Sequence, residues 1–121
     1  MPKILIVEDD KFLRDLLSAR LRKEEDLEVF VAEDGEEGLR KIKEEKPDLV
    51  LLDLIMPGID GFEVLKKVKE DEEIKNIKII VLSNLGQEEE IKKALDLGAE
   101  DYLIKAHFTL EEILSKIRSH L

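Results

Sequence analysis

Carboxylates that follow two apolar runs are the residues of this chain best suited to chemistry. Asp53 comes directly after Leu49–Leu52 and just before the turn residues 56–58, and the acids Glu8 to Asp10 follow a second apolar run. A carboxylate just beyond the end of a buried strand is exposed enough to react and is held by a rigid frame. Two such sites on neighbouring strands can hold a divalent cation between them, which suits phosphoryl chemistry.

A hydroxyl and an ammonium group follow two further apolar runs. Ser83 and Asn84 come after the fourth run of the chain, and Lys105 comes after the fifth. In an open parallel sheet, ligands bind beyond the carboxyl ends of the strands, where the strand order reverses. These side chains are therefore predicted to meet the acids in one pocket. Around a phosphoryl group, Lys105 is expected to pair with one oxygen and the Ser83 hydroxyl to donate to another.

The acids of this pocket predict a magnesium site. Oxygen ligands favour a hard cation, and Mg²⁺ typically takes one or two carboxylates, several waters and an incoming phosphate. The expected ligands are Asp9, Asp53 and a backbone carbonyl just after Asp53, that of Ile55. Glu8 is expected to act through a bound water.

Five segments of the chain are predicted to be strands. They are Lys3–Val7, Glu28–Ala32, Leu49–Leu52, Ile77–Leu82 and Asp101–Ile104. The first, third and fourth consist almost entirely of Ile, Leu and Val, which is typical of strands covered on both faces. The second alternates, with Val29 and Val31 on one side, as a more exposed strand does.

Amphipathic stretches predict five helices between and after these strands. Their apolar faces contain Leu13, Leu16, Leu17 and Leu21; Leu39 and Ile42; Phe62, Leu65 and Val68; Ile91, Ala94 and Leu95; and Leu110, Ile113, Leu114 and Ile117. The second helix is entered through Asp34-Gly35, and the fourth is predicted to stop at Gly98. Thr109 and Glu112 form a capping box at the start of the fifth helix.

The order of these elements predicts the fold class. Strand and helix alternate five times, which favours a parallel sheet between two layers of helices. Right-handed crossovers then limit the topology to a doubly wound α/β fold. The 121 residues fit one domain that spans residues 1–121, and neither a linker nor an output domain is expected.

Composition narrows the possible functions. The net charge is -10, from 20 Lys and Arg against 30 Asp and Glu, so direct contact with nucleic acid or an anionic membrane is not expected. The chain has no Cys, which excludes disulfide frameworks and thiolate metal sites. No apolar stretch approaches the roughly 20 residues needed to span a bilayer. No signal-peptide pattern is present, and a soluble cytoplasmic protein is the default expectation.

Four motifs carry a family resemblance. The segments Ile4 to Asp10, Asp53 to Gly61, Val81 to Asn84 and Gly98 to Lys105 resemble the receiver domain of two-component response regulators, and the resemblance covers essentially the whole chain. Their shared order and spacing make the resemblance specific. It implies a flavodoxin-like sheet with the strand order 2-1-3-4-5.

The resemblance also implies a mechanism. Asp53 is expected to attack the phosphoryl group of a phosphohistidine on a histidine kinase or phosphotransfer protein, with Mg²⁺ and Lys105 neutralising the transferring oxygens. Ser83 would then move towards the new group, and Tyr102 would swing inward behind it. The face formed by the fourth helix, fifth strand and fifth helix would be read by a downstream protein, and slow hydrolysis would reset the switch. A monomer or weak homodimer is expected, without enzyme activity beyond this self-catalysed transfer and hydrolysis.

Other functions are compatible with part of the pattern. A haloacid-dehalogenase-type phosphohydrolase also uses a nucleophilic Asp and Mg²⁺, but it places a second acid two residues later, where this chain has Ile55. A small flavin-binding protein needs a phosphate loop after the first strand, where Glu8 to Asp10 would repel the phosphate. An idealised or reconstructed receiver sequence without natural partners is a further alternative.

Simpler roles stay open for several of these side chains. Asp10 and Asp60 are expected only to cap helices. Ser83 is alternatively a turn hydroxyl, Lys105 a surface charge and Tyr102 an edge-packing residue.

Two residues depart from the family pattern: Asn84, at a position that is commonly small, and Ala106. The family usually has a Pro after the lysine, joined by a cis bond, whereas Ala106 follows Lys105 here. A cis bond before a non-proline residue costs about 2.5–4 kcal/mol. The sequence therefore predicts either a rearranged loop with a trans bond or a strained cis bond.

Overall fold

Strands and helices alternate along the whole chain, and the computed structural model describes all residues from 1 to 121. The strands are β1 (Lys3–Val7), β2 (Glu28–Ala32), β3 (Leu49–Leu52), β4 (Lys78–Ser83) and β5 (Asp101–Ile104). The helices are α1 (Lys11–Arg22), α2 (Gly35–Glu45), α3 (Gly61–Glu70), α4 (Glu88–Asp96) and α5 (Leu110–His120). A single 3₁₀ turn, Lys105–His107, joins β5 to the last helix.

The sheet has the predicted doubly wound topology. Its five strands are all parallel and lie in the order β2-β1-β3-β4-β5, so the flavodoxin-like arrangement is confirmed. The register pairs Val7 with both Ala32 and Leu52, and pairs Ser83 with Ile104. The residues that follow β1, β3, β4 and β5 are therefore brought to one edge of the sheet.

Apolar side chains cover both faces of the sheet, because every residue of β3 and nearly every residue of β1 and β4 is buried. On one face, α2, α3 and α4 pack Ile42, Leu65 and Ala94 against the sheet. On the other face, α1 and α5 contribute Leu17 and Ile117. The two cores hold the strands in fixed register, and this fixes the positions of the polar residues at their ends.

Short polar side chains begin four of the helices. Asp10, Asp34 and Asp60 cap α1, α2 and α3, each accepting backbone N–H groups of the first turn. Thr109 and Glu112 form the predicted capping box of α5. Just after the C-terminal end of α4, Gly98 has φ +107°, a conformation that suits a residue without a Cβ. These observations confirm the predicted helix boundaries at Asp34-Gly35 and Gly98 and the capping roles of Asp10 and Asp60.

Three predictions were wrong: the bounds of one strand and the burial of two leucines. The strand β4 comprises Lys78–Ser83 and not Ile77–Leu82, because the ladder to β3 begins at Lys78 opposite Leu49. Leu16 is 40% exposed because the buried stripe of α1 runs through positions 14, 17, 18 and 21 and leaves position 16 outside. Leu95 is 45% exposed because Ala94 alone fills the buried side of α4.

None of the helices combines the length and the apolar composition required to cross a bilayer.

Candidate functional site

An open cavity of about 390 Å³ lies at the carboxyl edge of the sheet. It is lined by Glu8, Asp9, Asp10, Asp53, Ile55, Ser83, Asn84, Leu85 and Lys105. The structure thus brings together the acids, the hydroxyl and the ammonium group that the strand pattern predicted. Of the candidate residues, only Tyr102 lies outside the lining.

Asp53 lies at the floor of this cavity, one residue beyond β3. Its backbone N–H donates to the Val7 carbonyl at 3.1 Å, which ties the residue to the end of β1. One carboxylate oxygen, Oδ1, accepts the backbone N–H groups of Leu54 at 2.8 Å and Ile55 at 3.4 Å. The residue is only 6% exposed but lines the open cavity, so its carboxylate is held in one orientation and remains in reach of a ligand.

Lys105 connects the two carboxylate sites. Its Nζ lies 3.2 Å from Oδ2 of Asp53 and 2.7 Å from Oε1 of Glu8. Burial alone acts to lower the pKa of Lys105, but the hydrogen bond to Glu8 and the charges of Asp53 and Glu8 raise it on balance. The ammonium group is therefore kept charged between two acids that are far apart in the sequence.

Glu8 carries the most strongly perturbed carboxyl group of the site. Burial raises its pKa from 4.5 to about 7; the Lys105 hydrogen bond opposes this rise, and the charge of Asp53 adds to it. Its second oxygen, Oε2, accepts the Asp10 N–H at 3.1 Å. Without a further cation, the site therefore binds a proton on Glu8 more tightly than an ordinary glutamate does.

This raised pKa predicts how the stability of the metal-free protein changes with pH. Because folded Glu8 binds its proton more tightly than unfolded Glu8, its contribution is fully present below pH 4.5 and is lost as the pH rises through about 7. The loss is on the order of 3 kcal/mol, at about 1.4 kcal/mol per pKa unit. Chemical denaturation of wild type and Glu8→Gln across this range, in the presence of a chelator, measures it. The free energy of unfolding of wild type should fall relative to that of Glu8→Gln, and parallel curves would contradict the assignment.

Three acids of the cavity fit a cation. Carboxylate oxygens of Glu8, Asp9 and Asp53 all lie within 4.8 Å of one another, and this oxygen-only set suits a hard ion such as Mg²⁺. Asp10 takes no part in this set, because its Oδ1 accepts the N–H groups of Phe12 and Leu13. The backbone carbonyl of Ile55 and the water-mediated contact of Glu8 stay predictions.

Ser83 and Tyr102 lie on neighbouring strands beside the cavity. Ser83 is the last residue of β4, not the first residue after it, and its fully buried hydroxyl accepts the Leu85 N–H at 3.2 Å. The Tyr102 hydroxyl donates to the Leu85 carbonyl at 2.5 Å. Burial raises the pKa of Tyr102. Both side chains therefore contact the loop between β4 and α4. The movement of Ser83 towards a phosphoryl group and the inward swing of Tyr102 stay predictions.

The bond between Lys105 and Ala106 is trans, since the chain contains no cis peptide. The 3₁₀ turn Lys105–His107 follows, and Phe108 N–H donates to the Lys105 carbonyl at 3.5 Å. Of the two predicted forms of this segment, the structure has the rearranged loop. The ammonium group of Lys105 nonetheless reaches both acids.

Arg14 is a residue of this site that the sequence patterns did not reveal. The residue is only 7% exposed, and its guanidinium donates to the carbonyls of Glu8 at 2.9 Å and Asp9 at 3.3 Å. A signal was available, because an arginine at position 14 shares the helical stripe of Leu17 and Leu21 and so was bound to face inward.

Comparisons with known proteins agree with this geometry. The family model for the response regulator receiver domain matches residues 4–118. The chain is 39% identical over 121 residues to the DNA-binding dual master transcriptional regulator RpaA of Synechocystis sp.; the match covers 100% of this chain and 49% of that protein. The chain therefore spans about half the length of this curated relative.

Solved structures show the same similarity. The Vibrio cholerae chemotaxis protein CheY4 has a TM-score of 0.91 and 30% identity, with 100% of this chain and 99% of that chain covered. The BeF3-activated receiver domain of Klebsiella pneumoniae RstA has a TM-score of 0.87 and 34% identity, with 98% and 97% covered. The chain thus belongs to the receiver domains of two-component response regulators, which are signalling switches and not classical enzymes.

Proposed function

We propose that this chain is a phosphoacceptor switch in which Asp53 receives a phosphoryl group from a histidine kinase or a phosphotransfer protein. Membership of the receiver family implies a partner of this class. The observation that carries the proposal is the contact of Lys105 with both Asp53 and Glu8 in one open cavity. A fixed carboxylate beside a charged ammonium group is the arrangement that phosphoryl transfer requires.

In the transfer step, an oxygen of Asp53 attacks phosphorus and the bond from phosphorus to the partner's imidazole nitrogen breaks. The imidazole leaves with the electron pair of that bond. Lys105 exchanges its contact with Asp53 Oδ2 for a phosphoryl oxygen and so compensates the charge that gathers there. The Ser83 hydroxyl, now an acceptor for the Leu85 N–H, has a proton to donate to another phosphoryl oxygen.

The proposed cation site uses Asp9, Asp53 and the Ile55 carbonyl, with Glu8 acting through water. Receiver domains generally bind Mg²⁺ through acidic residues, and the clustered carboxylates support the same use here. When bound, Mg²⁺ supplies positive charge to the transferring oxygens. The carboxylates of the chain hold and orient that charge.

Exposed apolar side chains beside the cavity support a protein as the phosphoryl donor. Ile55, which lines the cavity, is 61% exposed, and Phe12 is 74% exposed in the first turn of α1, two residues after Asp10. Two such side chains next to the same cavity offer a protein donor an apolar contact. A small donor needs no such surface.

The signal is proposed to leave through the face formed by α4, β5 and α5. The phosphoryl group adds a charge of about -1.5 to -2 and strong acceptor oxygens. Ser83 and Tyr102 both contact Leu85, so a movement of Ser83 towards the new group alters the loop that leads into α4. The exposed Leu95 on α4 offers a downstream protein an apolar contact. Amide chemical shifts recorded before and after phosphorylation test this route, and shifts confined to the cavity would contradict it.

We further propose that residues 1–121 form one receiver domain that itself contacts neither nucleic acid nor membrane. The net charge of -10 supports this, because it repels other polyanions. A monomer or weak homodimer in the cytoplasm remains the expected state.

The test of the proposed function is intact-mass measurement after incubation with acetyl phosphate. With Mg²⁺ present, we expect one phosphoryl adduct per chain, and with excess chelator we expect none, because the cavity acids then repel the incoming phosphate. Peptide mapping should place the adduct on Asp53. Continuous release of phosphate from simple phosphate esters would instead favour a hydrolase.

A further inference from the structure

Arg14 is the only arginine of the chain that is buried, and its hydrogen-bond acceptors account for this burial. A guanidinium group removed from water is costly unless acceptors satisfy its N–H groups. Here Nη1 donates to the carbonyls of Glu8 and Asp9, and Nη2 lies 3.4 Å from Oε1 of Glu33. The main contacts of Arg14 are therefore with the backbone of the loop that carries three of the cavity acids.

Further backbone hydrogen bonds hold that loop, residues 8–10. The Glu8 N–H donates to the Ala32 carbonyl at 3.1 Å, and the Asp10 carbonyl accepts the Arg14 N–H at 2.9 Å. Because Arg14 takes the carbonyls of Glu8 and Asp9, these oxygens face the helix and not the cavity. The loop thus presents only side-chain carboxylates to a cation, from a backbone that is held at several points.

We propose that Arg14 is a positioning residue that makes the cation site selective for Mg²⁺ over Ca²⁺. This inference rests on the proposed function, since it concerns the same site. Mg²⁺ demands near-ideal octahedral geometry at about 2.0–2.1 Å, whereas Ca²⁺ accepts irregular sets of ligands at about 2.3–2.6 Å. A loop held in one conformation keeps the acids close enough for the smaller ion, and a loosened loop favours the larger one.

The backbone contacts, and not the ion pair with Glu33, provide this restraint. The Glu33 side chain is 67% exposed, and its oxygen lies 3.4 Å from Nη2, so water screens the pair. The Glu8 carbonyl contact is shorter and fully buried. Removing the carboxylate of Glu33 should therefore leave the loop in place, whereas removing the Arg14 donors should release it.

The test is calorimetric titration of Mg²⁺ and of Ca²⁺ into chelator-treated wild type and variants. Arg14→Met keeps the aliphatic stem and removes all donors, while Arg14→Lys keeps the charge but shortens the reach. We expect Arg14→Met to weaken Mg²⁺ binding about tenfold, with a smaller change for Ca²⁺, so that the ratio of the two dissociation constants shifts towards Ca²⁺. Arg14→Lys should shift this ratio in the same direction by less.

A purely electrostatic effect predicts tighter and not weaker Mg²⁺ binding by Arg14→Met, because the loss of a nearby positive charge strengthens the binding of any cation. A merely structural role lowers the folded fraction, which reduces the number of sites and leaves the ratio of constants unchanged. Circular dichroism of each variant verifies folding, and Arg14→Lys preserves the test if Arg14→Met does not fold.

Two control variants are matched to this proposal. Arg22, on the same helix, also donates to a backbone carbonyl, that of Val29 at 3.3 Å, but lies away from the cavity. Arg22→Ala and Glu33→Gln should both keep the wild-type ratio.

A ratio unchanged in both Arg14 variants would overturn the inference while leaving the proposed function intact. An equal shift in Glu33→Gln or Arg22→Ala would overturn it as well. Failure of wild type to bind Mg²⁺ at all would instead overturn the magnesium site of the proposed function.

Discussion

Replacing Asp53 by Asn should abolish the phosphoryl adduct completely. An amide lacks the nucleophilic carboxylate oxygen that the proposed transfer requires. The variant should still fold, because the Asn carbonyl oxygen can accept the Leu54 N–H as Oδ1 of Asp53 does. Intact-mass measurement after incubation with acetyl phosphate and Mg²⁺ shows the loss.

Asp60→Asn is the matched control for this experiment. It makes the same chemical change seven positions further along the chain, at the residue that caps α3 by accepting the Glu63 N–H at 2.9 Å. Asn is as good an N-cap as Asp, so both fold and adduct should be retained. An adduct of wild-type yield on Asp53→Asn, mapped to another carboxylate, would show that Asp53 is not the acceptor.

Replacing Gly61 by Ala should strongly destabilise the protein and damage the site. A Cβ at this position would lie 2.2 Å from the Asp53 carbonyl oxygen and 2.7 Å from Cα of Leu54, and both atoms belong to the backbone. Neither can move without displacing the segment that orients the Asp53 carboxylate. We expect the free energy of unfolding to fall by at least about 3 kcal/mol and the melting temperature by on the order of 10 °C. Thermal and chemical denaturation measure both.

Gly86→Ala provides the comparison for this effect. There the nearest atom to a new Cβ is the terminal methyl of Ile104, at 3.2 Å, which a small side-chain movement relieves. Its stability should stay within about 1 kcal/mol of wild type. Equal stability of Gly61→Ala and wild type would mean that the approach of α3 to Asp53 is less restrictive than the structure indicates.

The fold was predictable from the sequence because local and global signals agree. Continuous apolar runs predicted β1, β3 and β4 as strands covered on both faces, and the cap residues fixed the helix starts. The strand order came from the family resemblance and not from the pattern. The wrong predictions concern Leu16, Leu95 and the bounds of β4, where hydrophobicity alone does not reveal which side of a helix is covered or which residue begins the hydrogen-bonded ladder.

The site was predictable to the level of which residues gather, since the carboxyl ends of parallel strands must share an edge. Its internal contacts were not. Lys105 was expected to meet a phosphoryl oxygen, and in the structure it contacts Glu8 and Asp53. The inward position of Arg14 could be inferred from the helical stripe of Leu17 and Leu21, but its partners could not, because backbone carbonyls have no residue signature. Such contacts depend on three-dimensional packing that a one-dimensional pattern does not encode.

The position of Lys105 has a consequence for the resting protein. By contacting both Glu8 and Asp53, its ammonium group serves as a built-in counterion that moderates the repulsion between these acids when no ion is bound. The cavity can therefore stay assembled at low magnesium concentration, ready for a donor. Phosphorylation then becomes an exchange of partners, in which Lys105 leaves its contact with a carboxylate and pairs with a phosphoryl oxygen. The change of lysine partner thus accompanies the binding of the phosphoryl group.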